Sequence, residues 1–564
     1  MIVDCSILAR EGIAFDLIIL GAGAAGLTLA QAAGAKGLHV LLLEAGGPRE
    51  TNAGRAALAG ELATPNGHPA LDLYRVRALG GTSRLWGGRC IPLDPIDFVP
   101  RDWIPNSGWP IRYSELAAYY PPAMRVAEAG ENTFDPSVML SNSQAELAPG
   151  LDSELIRTTI ERFSRPTDFW KRFGDELNSS PRVHVLPETR LTEIKLHPDA
   201  NTVRSVVIID KAGRRIDARA SNYVLALGGL ETTRILLASR DVKPAGIGND
   251  FDQLGRYYMS HLCTNGGIVD FSPSARSLAY DYDRDRDGIY LRRRLWLTEK
   301  AQRTFRLANM TFRTNIPDPG DPVHGNAILS AMFLSKSMVQ KEYAAKFSEN
   351  PIKASDYIRH AKNVLGNPGE LARFASVWVR RRILADRKLP SVVLPSADHR
   401  YPLEFHVEQM PNPASRVSLS TSLDPDGMPR LKVDWKVLNA DIESIINAHK
   451  LLRREFSRTR TGTFRFDAEE LASRIREKSI VGGHHIGTTR MSSSPKLGVV
   501  DPDCRVHGVD NLFVASSAVM PTSGQANPTL TIIALSLRIA DYLAKRRSSI
   551  ATAAVHFPIR RAIA

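Results

Sequence analysis

Phe15-Asp-Leu-Ile-Ile-Leu20-Gly21-Ala-Gly23-Ala24-Ala25-Gly26, an Ala/Leu-rich run to Lys36-Gly37, and then His39-Val-Leu-Leu-Leu43-Glu44-Ala45 form the stretch that decides the fold. Two short apolar runs bracket a segment of good helix formers. This is the pattern of parallel strands buried on both faces and joined by a helix. The glycines divide the labour: Gly21 makes the tight turn, Gly23 lets backbone approach a pyrophosphate, and Gly26 lets the helix pack near the sheet. The helix N-terminus at Ala24 and Ala25 supplies N–H groups and a positive dipole to phosphates. Glu44, with Ala45 after it, ends the second strand about eighteen residues past Gly26. It is placed to accept from ribose hydroxyls, and its charge would repel a 2′-phosphate, which disfavours NADP.

Outward from this unit, Arg77-Ala-Leu-Gly80-Gly81-Thr82-Ser83-Arg84-Leu85-Trp86-Gly87-Gly88 carries four glycines in nine residues. Backbone so free of side chains can lie flat against a planar ring, with Thr82 and Ser83 as hydrogen-bonding partners. A third apolar strand, Tyr223-Val-Leu-Ala-Leu227, runs into Gly228-Gly229 and a helix over Glu231–Ser239.

Near the C-terminus stand Gly483-His484-His485-Ile-Gly-Thr-Thr-Arg490-Met and Ser523-Gly-Gln-Ala-Asn527-Pro528-Thr529. Adjacent histidines on extended chain face opposite ways, so one is expected to be functional and the other structural. Asn at N-cap and Pro at N1 are strong helix-start choices, and Leu530, Ile533, Leu537 and Ala540 give Thr529–Ala544 a packed face. Asn527 therefore has a plain capping reading beside a functional one, in which the helix dipole stabilises negative charge on a redox ring.

The bulk numbers narrow the class. At 564 residues two joined domains are expected. The four scattered cysteines form no metal-ligand spacing, and no eighteen-residue apolar run or signal-like leader precedes the first strand, so a cytoplasmic location is the default expectation. Net charge is +13, and twelve basic against five acidic residues between Lys336 and Lys388 put +7 of it in one stretch. Its densest part, from Arg373 through Trp378 to Leu384, reads as a basic amphipathic helix: a solvated face, or, over 373–388, contact with a membrane surface, an anionic partner or an anionic substrate. No nucleic-acid-binding signature accompanies it. Prolines are dense over 92–122, which predicts an extended excursion, with Ser114 capping a short helix. Val183-His-Val-Leu and Val203–Ile209 suggest an antiparallel meander, and Asp424-Pro-Asp-Gly427 a turn.

These motifs, in this order, resemble the glucose-methanol-choline (GMC) flavin oxidoreductases over the first ninety residues, Leu227–Leu236, Gly255–His261 and nearly everything after Gly482. Within that family the chain looks most like the pyranose oxidase, C-glycoside 3-oxidase and sugar dehydrogenase branch, to which Glu408-Gln-Met-Pro-Asn412-Pro-Ala-Ser415-Arg416 is also similar. The resemblance implies that His484 is the active-site base, that Asn527 is the second active-site position, and that Ala515-Ser516-Ser517-Ala518 binds FAD. Where several pyranose oxidases carry a flavin-linked histidine, this chain has Leu85, so FAD is expected to be non-covalent.

Residues and resemblance together set the expectations. The fold is α/β, a doubly wound, Rossmann-like FAD-binding domain interleaved with an α+β substrate domain built on an antiparallel sheet. The FAD domain covers 1–256 and returns at 481–550, the substrate domain covers 257–480, and 551–564 is a tail. The reaction is FAD-dependent oxidation of a secondary alcohol, a ring hydroxyl of a pyranose or glycoside. Neutral His484 takes the proton, hydride passes to flavin N5, and oxygen, a quinone or a redox protein reoxidises the flavin. A sterol, aliphatic or other non-sugar alcohol is the alternative substrate, and a flavin-binding protein without turnover is the alternative class.

Overall fold

The computed structural model describes residues 1–9, 14–64, 67–140, 146–165, 167–272, 279–338, 353–396, 398–477 and 483–555, with side chains to 548. Its first sheet has five parallel strands in the order Leu512–Val514, Asn222–Leu225, Leu17–Leu20, Val40–Leu43, Val183–Leu186. The strands Leu17–Leu20 and Val40–Leu43 are buried at every position, as continuous apolar runs require. Between them the helix Ala24–Ala35 packs on the long C-terminal helix Thr529–Val555 and on the helix Phe169–Ser179. A meander, Arg190–Leu196, Val203–Ile209 and Arg215–Ala218, puts Ile194, Val206 and Ile208 into the same core. β-structure therefore shares with helices the covering of this sheet.

Val183–Leu186 was expected in the meander, and the structure corrects this. It pairs in parallel with Val40–Leu43 and extends the first sheet, because Val183, Val185 and Leu186 are buried in the core of that sheet.

The second sheet is antiparallel, in the order Gly462–Arg465, Leu262–Phe271, Arg400–Val407, Met310–Thr314, Tyr290–Leu297, Ile156–Phe163, Arg89–Cys90, with Asp283–Arg284 hung on Tyr290–Leu297. Two of its strands, Arg89–Cys90 and Ile156–Phe163, come from the stretch 1–256 that sequence reading gave wholly to the FAD domain. Too short or too mixed to announce their sheet, they carry the first part of the chain into the substrate side.

The Pro-rich excursion is less extended than expected, with helical turns at Pro95–Phe98, Tyr113–Ala117 and Tyr120–Val126. Ser114 lies inside its helix. The N-cap is Arg112, whose backbone N–H donates to Glu115 at 2.9 Å. The helix expected at Glu231 starts at Gly228, and the C-terminal helix runs past Ala544 to Val555. The turn at Asp424–Gly427 forms, with Gly427 at φ +78° donating to the Asp424 carbonyl at 3.0 Å. Part of the basic stretch (339–352) and most of the tail (556–564) lie outside the described residues.

Candidate active site

A single cavity of about 500 Å³ runs from the first βαβ unit to the second sheet. At one end Gly21 sits at φ +103°, where a Cβ would lie 2.6 Å from the Ala226 carbonyl oxygen. Gly26 touches the turn itself, since a Cβ there would stand 1.8 Å from the Gly21 carbonyl oxygen. Gly23 differs: nothing lies nearer its missing Cβ than Gly81 Cα at 4.0 Å, so the space above it is open to a ligand. Gly80 donates its N–H to the Ala22 carbonyl at 2.8 Å, which brings the two glycine turns face to face.

Glu44 is buried against this turn and accepts from the Ala22 and Gly46 N–H groups, both at 2.8 Å. Burial pushes its carboxyl up, and those two bonds oppose the shift. The carboxylate thus buttresses the glycine turn as well as lining the cavity.

Of the other residues expected to hold a cofactor, Ala24, Ala25 and Ala45 line the cavity at this end. Gly81, Thr82, Ser83, Trp86 and Gly87 line its middle, with Gly228 and Ser517. Asn527, Pro528 and Thr529 close its far end beside His484. Gly26, Gly80, Gly88 and Ala518 stand behind the wall; Ala518 works through its carbonyl, which accepts from Thr489 at 2.9 Å. An elongated cavity with an open glycine at one end and a helix start at the other fits a dinucleotide carrying a ring system.

His484 is positioned by its own chain. Ile486 pairs with Met259, and the N–H groups of Gly487, Thr489 and Met491 donate to the carbonyls of Ser517, Ala518 and Val519. Gly487 at φ +89° is required, because a Cβ would stand 2.4 Å from the Tyr257 carbonyl oxygen. The two histidines then part. His485 turns toward Tyr258, its Nδ1 2.8 Å from the hydroxyl, while still lining the cavity, and burial holds it well below the usual histidine range. His484 turns to the cavity, with Nδ1 2.7 Å from His261 Nδ1 and Nε2 3.2 Å from Asn527 Nδ2.

Donor logic fixes the protons along this line. Carbonyl oxygens only accept, so His261 Nε2, 3.0 Å from the Gly524 carbonyl, carries a hydrogen. Burial lowers the His261 pKa to about 4, so at neutral pH its Nδ1 is an acceptor. His484 must then donate from Nδ1, which leaves the lone pair on Nε2, the atom that meets Asn527 at the cavity. Arg89 Nη1 donates to Asn527 Oδ1 at 3.1 Å, so the amide nitrogen faces His484. Asn527 therefore spends its side chain on His484 and Arg89, with no bond to its own helix among the described contacts.

His406 completes the cluster, stacked on His261 with ring centroids 4.4 Å apart, its Nδ1 2.8 Å from the Gln525 carbonyl. Burial, followed by His261, Arg89 and His484, holds it well below the usual range. The ring nitrogens of His261, His406 and His484 gather within 4.8 Å. Face-to-face stacking and a 2.7 Å N–N hydrogen bond are the geometry of directly bonded rings; chelated imidazoles converge on a shared point with their nitrogens further apart.

Sequence reading missed His406, His261 as a partner of His484, and Arg89. The signals were faint: Arg89 follows the quoted glycine cluster directly, and His406 stands two residues before Glu408. Beyond His406 the cavity is walled by Arg89, Arg313, Glu404, Tyr282 and Ser391. Glu161 accepts from Arg313 at 3.2 Å and faces Arg89 at 3.4 Å, and Arg313 Nε reaches Glu404 at 2.5 Å. The charges there are mutually paired and present alternating donors and acceptors.

Residues 411–536 match the C-terminal family model of the GMC oxidoreductases. Paromamine 6'-oxidase of Streptomyces fradiae is 24% identical over 94% of this chain and 91% of its own. C-glycoside 3-oxidase of Arthrobacter globiformis is 31% identical over 23% of this chain and 24% of its own. Among solved structures, pyridoxine 4-oxidase from Mesorbium loti superposes with a TM-score of 0.52 at 18% identity, covering 94% of this chain and 99% of its own. Among the described residues no helix is long and apolar enough to cross a membrane.

Proposed function

We propose that the chain is a GMC oxidoreductase and that it oxidises a ring hydroxyl of a pyranose sugar or glycoside, a secondary alcohol, to the ketone. FAD, its cofactor, supplies the hydride acceptor at N5 when bound. Gly21, Gly23 and the helix start at Ala24 hold its pyrophosphate, Glu44 its ribose end, and the Gly80–Gly88 turns its ring system. Leu85 offers no nucleophile, so the flavin is held without a covalent bond.

The observation that carries this reading is the meeting of His484 Nε2 and Asn527 Nδ2, 3.2 Å apart on the cavity wall, where the amide donates to the imidazole lone pair until a substrate hydroxyl enters between them. A substrate hydroxyl placed there gives its proton to Nε2 and its oxygen a donor in Asn527 Nδ2. As the carbon loses hydride its oxygen takes on carbonyl character, and the Asn527 amide, released from His484 Nε2 by the incoming hydroxyl, is the N–H donor to it. His406 Nε2, whose partner nitrogen is committed to the Gln525 carbonyl, offers a second acceptor for a neighbouring hydroxyl.

The paired charges of Arg89, Arg313, Glu161 and Glu404 support a polyhydroxylated substrate over a sterol or aliphatic alcohol. They would be desolvated at a cost by an apolar ligand and satisfied by a sugar. Anaerobic mixing of the flavoprotein with sugars, glycosides, sterols and simple alcohols, followed by flavin bleaching, tests this. Glycosides should bleach it fastest, and His484→Ala should slow bleaching by about two orders of magnitude or more with flavin still bound. Preferential bleaching by sterols or aliphatic alcohols would overturn the substrate class, and an undiminished rate in His484→Ala the base.

A further inference from the structure

Two helices, Ala354–Gly366 and Pro368–Trp378, follow one another across Asn367 and both pack on the helix Ala327–Leu334, and the second continues through one wide turn, Val379–Ile383. The inner side is well packed. His360 is buried and stacks on Phe333 with centroids 4.2 Å apart, while Leu371 and Phe374 lie against Ile328, Leu329 and Leu394. A buried inner side normally leaves a polar outer one. Here the outer side carries exposed apolar residues among its charged ones.

On the first helix Ile358 (60% exposed), Ala361 and Leu365 (78%) recur at three- and four-residue spacing, which places them in one row. On the second, exposed Ala372, Ala375, Val379 and Ile383 (61%) form a second row, and Leu384 is 72% exposed beside it. Exposed Lys362, Arg373 and Arg380 lie alongside these rows. From Lys353 to Lys388 there are nine Lys/Arg and three Asp/Glu, a net +6. Among the described residues, the one basic side chain here paired with a carboxylate is Arg381, 3.6 Å from Asp281. Apolar rows set in a basic field on exposed helices match a surface that is apolar below and anionic above.

We propose that this pair of helices docks the protein on an anionic lipid surface, with Ile358, Leu365, Ile383 and Leu384 entering the headgroup boundary and the arginines pairing with phosphates. A soluble acidic protein would complement the charge but would leave the protruding apolar rows without a partner, which favours lipid. The site adjoins the cavity. Arg382 donates to the Leu389 carbonyl at 2.5 Å, and the next two residues, Pro390 and Ser391, line the substrate end with Tyr282. This inference is independent of which alcohol is oxidised.

The test is flotation of the full-length, flavin-loaded protein with phosphatidylcholine vesicles, with and without phosphatidylglycerol. It should float with the anionic vesicles and stay behind with neutral ones. At roughly fivefold per basic charge lost near an anionic surface, Arg373→Glu/Arg380→Glu should lower partitioning more than tenfold. Ile383→Ser/Leu384→Ser should do so as well, since the apolar contribution is lost. Both variants alter exposed positions outside the cavity, so bound flavin and turnover of a soluble alcohol should be unchanged and serve as the folding control. Three outcomes would each overturn the proposal: wild-type protein that does not float, equal flotation with neutral vesicles, or undiminished flotation of the serine variant.

Discussion

Arg89 and Asn527 stand 438 positions apart in the sequence and meet at 3.1 Å, and that contact decides which end of the amide His484 sees. A guanidinium can only donate, so the amide oxygen faces Arg89 and the NH₂ faces His484 Nε2. Asn527→Asp keeps the size and the Arg89 contact but removes the donor. It also sets a carboxylate beside His484, which favours the protonated imidazole. Flavin reduction should slow by about 100-fold at neutral pH, and the acid limb of its pH profile should move upward. An unchanged profile in anaerobic stopped-flow would show that the amide orientation is irrelevant.

His261 is a positioning residue, because it acts through His484 Nδ1 rather than on the substrate. Its acceptor nitrogen holds the His484 hydrogen away from the cavity. His261→Phe should leave the tautomer unfixed and the buried N–H unpartnered, lowering the rate of reduction by about 10–100-fold with little change in KM. His261→Gln, which restores an acceptor, should recover part of the loss. A purely structural role would give equal losses in the two variants.

Gly23 and Gly26 separate binding from folding. A methyl at Gly23 meets nothing closer than 4.0 Å and the backbone is at φ −84°, so Gly23→Ala should fold and melt like the parent apoprotein. It fills the space a pyrophosphate needs, so flavin affinity should drop by about tenfold or more, on the scale of one lost close contact region. Gly26→Ala drives a Cβ into the Gly21 carbonyl and should yield little folded protein. Thermal melts beside flavin content after gel filtration distinguish the two.

The first βαβ unit was legible because its signals are local: apolar runs, glycine spacing and one acidic residue all lie between Phe15 and Ala45. His484 and Asn527 were singled out through the family resemblance, since the residues alone left open which histidine faces the cavity and gave Asn527 a plain capping reading; the structure sets the two 3.2 Å apart. His261, His406 and Arg89 were not legible, since each sits on a segment with its own structural explanation and becomes a partner only when two sheets meet. Val183–Leu186 was misplaced for a related reason. A four-residue apolar run cannot state which neighbour it pairs with, and that choice is made by the core beneath it. Arg89–Cys90 shows the limit further: a two-residue strand has no periodicity to read.

Acid should destabilise the protein through its buried neutral histidines, and His449 isolates the effect because it lies apart from the cavity. Its Nδ1 donates to the Ile445 carbonyl at 2.7 Å, its Nε2 is buried with no hydrogen-bond partner among the described residues, and Phe312 and Phe405 stand edge-on with ring centroids at 5.1 and 5.3 Å. Burial lowers its pKa to about 4, whereas an unfolded histidine titrates near 6.5. The unfolded chain therefore takes up a proton that the folded chain refuses. Stability is complete above about pH 6.5 and falls as pH drops toward 4, by about 3 kcal/mol for this one group if nothing else compensates. His68 and His261, also lowered to about 4 by burial, add to the loss with the same sign. Urea midpoints taken between pH 7 and 5 should decline steeply in the parent and less steeply in His449→Leu, whatever the midpoint of that variant at pH 7. An identical slope in the two proteins would mean that His449 is already charged, or solvated, in the folded state.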